Sequence, residues 1–198
     1  MNTDTTTRTS TTATAAAQAA ALHGAAAGPH RPWRVAMLID DGVDELCVAR
    51  LIAELDREGA QVRLVAPHIA PVTTQLGGML SPDHAVTETT AARFDAVCVP
   101  SGVQSAETLQ TDEATLRFVQ GAYDLGKTVA ATGAGVQLLQ ALGLQVEGGE
   151  ALDEPEPGLL VGHGEHCTLA NFGRRMAKRL SREPHRSVMR GAPCRLAA

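Results

Sequence analysis

The tetrapeptide Thr132-Gly133-Ala134-Gly135 joins a short apolar run, Thr128-Val-Ala-Ala131, to a stretch with helical spacing of Val136, Leu139 and Leu142. A strand that turns this sharply into a helix is where a nucleophile elbow presents Ser or Cys above a sheet. A group held there would gain from the helix dipole, which depresses a thiol pKa and offers backbone donors to an oxyanion. Gly133-x-Gly135 at a helix start could also receive a phosphate or carboxylate, so a small anionic ligand is one reading. The third glycine of a dinucleotide fingerprint and the GK[ST] of a P-loop are both missing. The plainer reading is that the glycines let the turn pass close to neighbouring strands.

Other reactive side chains carry weaker signals. His163, His166 and Cys167, with His185 further on, could ligate zinc. HxxHC is not a standard ligand spacing, and Gly162 and Gly164 flank the first histidine, so a fortuitous cluster is favoured and no metal is expected. Cys47 falls in the first turn of a helix, but Asp40, Asp41, Asp44 and Glu45 crowd the same turn and would raise its pKa. It is read as inert, and Cys98, inside an apolar run, as core. From Arg174 to Arg195 there are eight Lys or Arg and one acid, Glu183. Without interleaved aromatics, this stretch reads as a solvated helix face or a surface for an acidic partner, not a nucleic-acid patch.

The elements that must position such groups alternate. Arg34-Val-Ala-Met-Leu-Ile39 is a continuous apolar run ended by Asp40-Asp41-Gly42, as expected of a strand buried on both faces. Val48, Leu51, Ile52 and Leu55 recur at helical spacing and Gly59 ends that helix. Gln61 to Ala66 is a second strand, which completes a βαβ unit. Pro71, Gly77-Gly78 and Pro82 predict a hairpin or loop excursion over 67–93. Asp95 to Pro100 is a third strand. A helix follows over about 112–125 with Leu116, Val119 and Tyr123 inward, and Thr128 to Ala131 is a fourth strand. This alternation predicts a doubly wound, flavodoxin-like parallel sheet in a three-layer α/β/α sandwich. Beyond 145, residues 147–158 read as an acidic loop, Leu159 to His163 as a fifth, edge strand, and Phe172, Met176 and Leu180 as the stripe of a last helix.

The chain has 198 residues, enough for one domain and its tails. Eighteen of the first thirty are Thr or Ala, and such a leader cannot bury enough apolar surface to offset its ordering entropy. The expected organisation is a disordered leader over 1–30, an α/β domain over 31–145, and an edge strand, basic helix and tail over 146–198. A net charge of −5 argues against general nucleic-acid or anionic-membrane binding, and no apolar run approaches the roughly 18 residues of a membrane span. Four cysteines without CxxC spacing read as free thiols of a cytoplasmic protein.

Three motifs in order, Val35-Ala-Met-Leu-Ile-Asp-Asp-Gly-Val-Asp44, Asp95-Ala-Val-Cys-Val-Pro-Ser-Gly102 and Val129-Ala-Ala-Thr-Gly-Ala-Gly-Val-Gln-Leu-Leu139, resemble the DJ-1/PfpI superfamily of the class I glutamine amidotransferase-like group. The resemblance covers about residues 33 to 143. It implies a ligand pocket at Asp41, Gly42, Asp44, Cys47, Ser101, Gly102, Thr132, Gly133, Ala134 and Gly135. Active members carry Cys, often followed by His, at the positions matching Gly133 and Ala134, and an acid near those of Asp44 and Cys47. Here the covalent mechanism has no nucleophile, and Thr132, ahead of the apex, is expected to point toward the sheet.

One branch, the C-terminal domain of large-subunit haem catalases, has the same loss. It is similar at Asp41-Gly-Val-Asp44, Leu64-Val-Ala-Pro67, Pro82-Asp83, Tyr123, and from Phe172 through Arg182 to Pro184-His-Arg186. The likeness implies a non-catalytic role in assembly, stabilisation or binding, linked to defence against hydrogen peroxide. Some thirty residues ahead of the domain are too few for a haem core, so the domain is expected to stand alone. Its partners would be further copies of itself or a haem catalase core, and no cofactor is expected. The competing readings are a hydrolase, glyoxalase-like or amidotransferase-like enzyme, or a small-ligand sensor.

Overall fold

Val35, Ala36, Met37 and Leu38 are all fully buried, although neighbouring residues of a strand face opposite ways. That requires cover on both faces of the sheet. The computed structural model describes residues 32–144, 152–153, 158–162 and 169–182. The expectations for the leader, for His163, His166, Cys167 and His185, and for the tail beyond Arg182 lie outside the described residues.

In chain order the elements are β1 (Arg34–Leu38), α1 (Glu45–Arg57), β2 (Gln61–Ala66), β3 (Val72–Thr73), β4 (Met79–Leu80), β5 (His84–Ala85) and β6 (Ala96–Val99). Then come α2 (Val103–Leu109), α3 (Glu113–Asp124), β7 (Thr128–Thr132), α4 (Val136–Ala141), β8 (Leu152–Asp153), β9 (Leu159–Gly162) and α5 (Leu169–Arg182). Among the described residues the main sheet runs β5-β2-β1-β6-β7-β9-β8, parallel except for the β8–β9 pair. Val35 and Met37 join Cys98, Ala130 and Leu160 beneath α1 and α5, while Ala36 and Leu38 join Val97, Val129 and Val161 beneath α2, α3 and α4. The result is the expected three-layer flavodoxin-like sandwich. Strand order reverses between β1 and β6, which places the switch point of the sheet at their carboxyl ends.

Three of the helices are seated by identifiable residues. Asp44 caps α1, its side chain accepting from Leu46 N at 3.0 Å and Cys47 N at 3.1 Å, and Cys47, Val48, Leu51 and Leu55 turn inward. Asp112 caps α3 through Thr115 N at 2.8 Å. On α5, Phe172, Met176, Ala177 and Leu180 are buried against the sheet and α1, while Arg174, Arg175 and Lys178 face solvent. Arg179 reaches back, donating from Nη1 to Leu159 O at 3.0 Å. A Cβ on Gly173 would sit 2.7 Å from Glu54 Cβ, so this glycine sets how closely α5 approaches α1.

Several sequence expectations need correction. The inner face of α3 is Thr115, Phe118, Val119 and Ala122, with Leu116 and Tyr123 only partly buried at its margin, because the helix is rotated by the aromatic pair Phe94–Phe118 at 6.0 Å. The fifth strand is not an edge: β9 is fully buried between β7 and the antiparallel β8, which lies inside the segment read as loop. The excursion over 67–93 does contain a hairpin, β3–β4, but also β5, which extends the sheet beyond β2. No helix among the described residues is long and apolar enough to cross a membrane.

Phe172→Ala should destabilise the domain by about 3–5 kcal/mol, as for other buried Phe truncations. Arg174→Ala, on the exposed face of the same helix, should stay within about 0.5 kcal/mol of the parent. Urea denaturation of the two variants measures both values.

Candidate functional site

Three strands end at the carboxyl rim, and their loops are held by backbone contacts. From β1, Val43 N–H donates to Asp40 O at 3.1 Å, Gly42 N–H to Thr73 O at 2.7 Å, and Asp44 N–H crosses to Ser101 O at 2.9 Å. Gly102, after β6, has φ +143, and a Cβ there would sit 2.7 Å from Val43 Cα and 2.8 Å from Gly42 O. Gly135, after β7, would bring a Cβ within 2.6 Å of both Val99 O and Pro100 O. These positions admit glycine because backbone fills the space a side chain would need.

The elbow itself retains a left-handed apex: Gly133 has φ +56. A side chain at this apex would run into Ser101, whose Cβ lies 2.8 Å from the Cβ position and whose Oγ lies closer still. Ser101 thus occupies the space a nucleophile's Cβ would take. Thr132 is only 4% exposed as the last residue of β7, and Ala134 is half-buried. Beneath the elbow, Ser101 N–H donates to Cys47 Sγ at 3.5 Å. Cys47 is buried, and the fully buried Cys98 has its thiol pKa pushed up by desolvation, with Cys47 adding to the shift. Asp44 is occupied as the α1 cap, and Glu45 Oε2 accepts from the buried Thr74 Oγ1 at 2.9 Å.

Of the residues picked out by sequence, Cys47, Ser101 and Gly133 gather at the elbow, while Asp44, Gly102, Thr132 and Gly135 build its frame. Asp41 and Gly42 line a different feature, a hollow of about 330 Å³ shared with Thr73, Thr74, Gln75 and Gln104. The hairpin and α2 supply the latter four, and neither contribution was foreseen. A Gly102 followed by only two helical turns, Val103 to Leu109, without a side-chain cap, leaves little periodic signal.

Asp40 also belongs to this rim. Its backbone N–H donates to Ser105 Oγ at 3.1 Å, and its Oδ1 accepts from Asp41 N at 2.9 Å. Burial raises its pKa above the ordinary 3.8, with Asp41 and Asp112 adding to the rise, against the lowering effect of the Asp41 N–H and His68. The folded state therefore binds this proton more tightly than the unfolded chain. The stability it contributes is complete below the ordinary carboxylate value and is lost as pH rises through the folded pKa. Asp40→Asn, which keeps the acceptor for Asp41 N–H, should raise Tm at neutral pH, with the gap closing on acidification; a pH series of thermal melts tests this.

At the apex, Gly133→Ala should cost about 1–2 kcal/mol from the left-handed backbone alone. Combining it with Ser101→Gly should recover the contact part of the loss, a coupling of about 0.5–3 kcal/mol in a double-mutant cycle.

Comparison with known proteins agrees with this geometry. The model of the DJ-1/PfpI family matches residues 33–148. Catalase HPII of Pseudomonas aeruginosa is 36% identical over 126 residues, 64% of this chain and 18% of the catalase. Catalase HPII of Mycobacterium avium is 37% identical over 113 residues, 56% of this chain and 16% of the catalase. The chain thus spans less than a fifth of the length of either catalase. Among solved structures, a two-domain protein of Anabaena variabilis with DJ-1/ThiJ/PfpI-like and ferritin-like domains superposes with TM-score 0.68 at 26% identity, over 75% of this chain and 48% of that one. A DJ-1 superfamily protein of Salmonella typhimurium has the same fold, with TM-score 0.69 at 23% identity over 76% of this chain and 91% of that one. With its sheet, its left-handed elbow and a match over most of the described residues, the chain belongs to the DJ-1/PfpI family.

Proposed function

We propose that this domain works by binding and assembly, without covalent chemistry of its own, and that its partner is a catalase core or a further copy of itself. The observation that carries the reading is the elbow, where glycine stands at the apex and Ser101 fills the adjoining space. An acyl or hemithioacetal intermediate needs a nucleophile and a neighbouring base, and the buried Cys47 and Cys98 lie below the turn, not on it. The similarity to catalases HPII supports a link to hydrogen peroxide defence, with the domain stabilising a catalase core.

The apolar side chains that would meet such a partner lie on the first turn of α1 and on the β3–β4 hairpin. Leu46, Leu76 and Met79 are 58%, 71% and 66% exposed, high values for large apolar side chains. The hairpin that carries Leu76 and Met79 is tied to the start of α1, where Gln75 N–H donates to Val43 O at 3.0 Å and Thr74 Oγ1 donates to Glu45. A second reading, a small-ligand sensor, is favoured by the polar hollow between Asp41 and Gln104.

Purified chain mixed with a haem catalase lacking its own C-terminal domain, from the same cytosol, should co-elute with it and raise its Tm by mass action. Leu76→Glu with Met79→Glu should abolish co-elution without unfolding the domain. Turnover of methylglyoxal or a peptide amide that survives replacement of all four cysteines would overturn the non-catalytic reading. In the converse experiment, Gly133→Cys, Ala134→His and Ser101→Gly together should produce a thiol titrating below the ordinary value near 8.5. An unshifted thiol would count against the elbow assignment.

A further inference from the structure

Near the amino-terminal ends of β1 and β2, roughly 15 Å along the strands from the elbow, residues of β1, β2, β5 and the turn before β6 surround a hollow of about 340 Å³. Three guanidinium groups, Arg34, Arg63 and Arg93, and the imidazole of His84 line it, against one lining carboxylate, Asp83. This is a local excess of positive charge in a chain whose net charge is −5. Asp83 is already committed: its Oδ2 accepts from Leu64 N at 2.7 Å, and its Oδ1 lies 3.6 Å from Arg63 Nη1, too far for a strong pairing. Asp95, just outside, accepts from Arg34 N at 2.7 Å. Lys127 Nζ adds a further cation nearby, donating to Ala92 O and Phe94 O.

The arginines are incompletely satisfied. Arg34 Nε is buried without an acceptor, the kind of orphaned donor that native structures rarely leave. Arg93 is exposed and forms no ion pair among the described residues. Phe94 forms a rigid wall, 3% exposed and held edge-on between His84 and Phe118. A carboxylate presents one planar edge and can satisfy one guanidinium fork; a phosphoryl group presents several oxygens in different directions and can meet more than one. We infer that this hollow binds a small phosphoryl anion, an inorganic phosphate or the phosphate of a small ester, with Arg34, Arg63 and Arg93 as its donors.

Calorimetric titration of the full chain with inorganic phosphate and with pyrophosphate, at ionic strength held constant with sodium chloride, tests this. The expected result is saturable one-to-one binding of at least one anion. Arg93→Ala and Arg63→Ala should each weaken it about tenfold, and Arg34→Lys, which keeps the charge but removes the planar guanidinium fork, should weaken it too. Arg50→Ala, on the exposed face of α1, should leave it unchanged. Binding of phosphate alone would assign a single phosphoryl group, and binding of pyrophosphate alone a diphosphate. Absence of saturable heat with both anions, or an equal loss in Arg50→Ala, would overturn the inference. Thermal melts confirm that each variant is folded, and Arg93, being exposed, can be removed without loss of core packing.

Discussion

The carboxyl rim depends on backbone packed directly against backbone. Gly102 lies against Val43 and Gly42, and Gly135 lies against the carbonyls of Val99 and Pro100. With no Cβ between them, the three loops share hydrogen bonds such as Asp44 N–H to Ser101 O, and the cap of α1 is set in the same stroke. A methyl group at either glycine would push apart loops that are anchored at both ends by buried strands, so the rim can relax very little. The position of Ser101 over Gly133 follows from this frame.

That frame sits on a sheet covered by helices from distant parts of the chain. α1 and α5 share one face, and Gly173 lets α5 approach Glu54 closely. β9, although it follows a segment of weak pattern, fills the interior of the sheet beside β7. Strands of this kind carry unbroken apolar runs because both faces are buried. The partly buried Arg179 spans the gap by donating to Leu159 O, which ties the last helix to the last long strand.

Much of this was legible in the sequence, for physical reasons. The runs at 34–39 and 95–100 read as buried strands and 61–66 as a further strand, and the spacing of Val48, Leu51 and Leu55 marked the inner face of α1. The two-residue strands β5 and β8 left no periodic trace, since pairing at that length is decided by the neighbouring strand. The face of α3 was misread because Leu116 and Tyr123 are the larger side chains, yet Phe118 wins by meeting Phe94. At the elbow, the glycine at the apex could be read directly from the sequence, whereas the approach of Ser101 to Gly133, 32 residues on, depends on how two loops meet, which spacing does not encode.

A left-handed apex normally charges an L-residue with conformational energy, which active sites hold in reserve. Gly133 adopts φ +56 with no such penalty, so the turn keeps its shape with nothing stored in it. Enzymes commonly trade some folding stability for a strained reactive residue, and removing that residue returns the stability. A glycine apex therefore makes this turn more robust than one that holds a strained residue, which suits the durable scaffold that the proposed binding role requires.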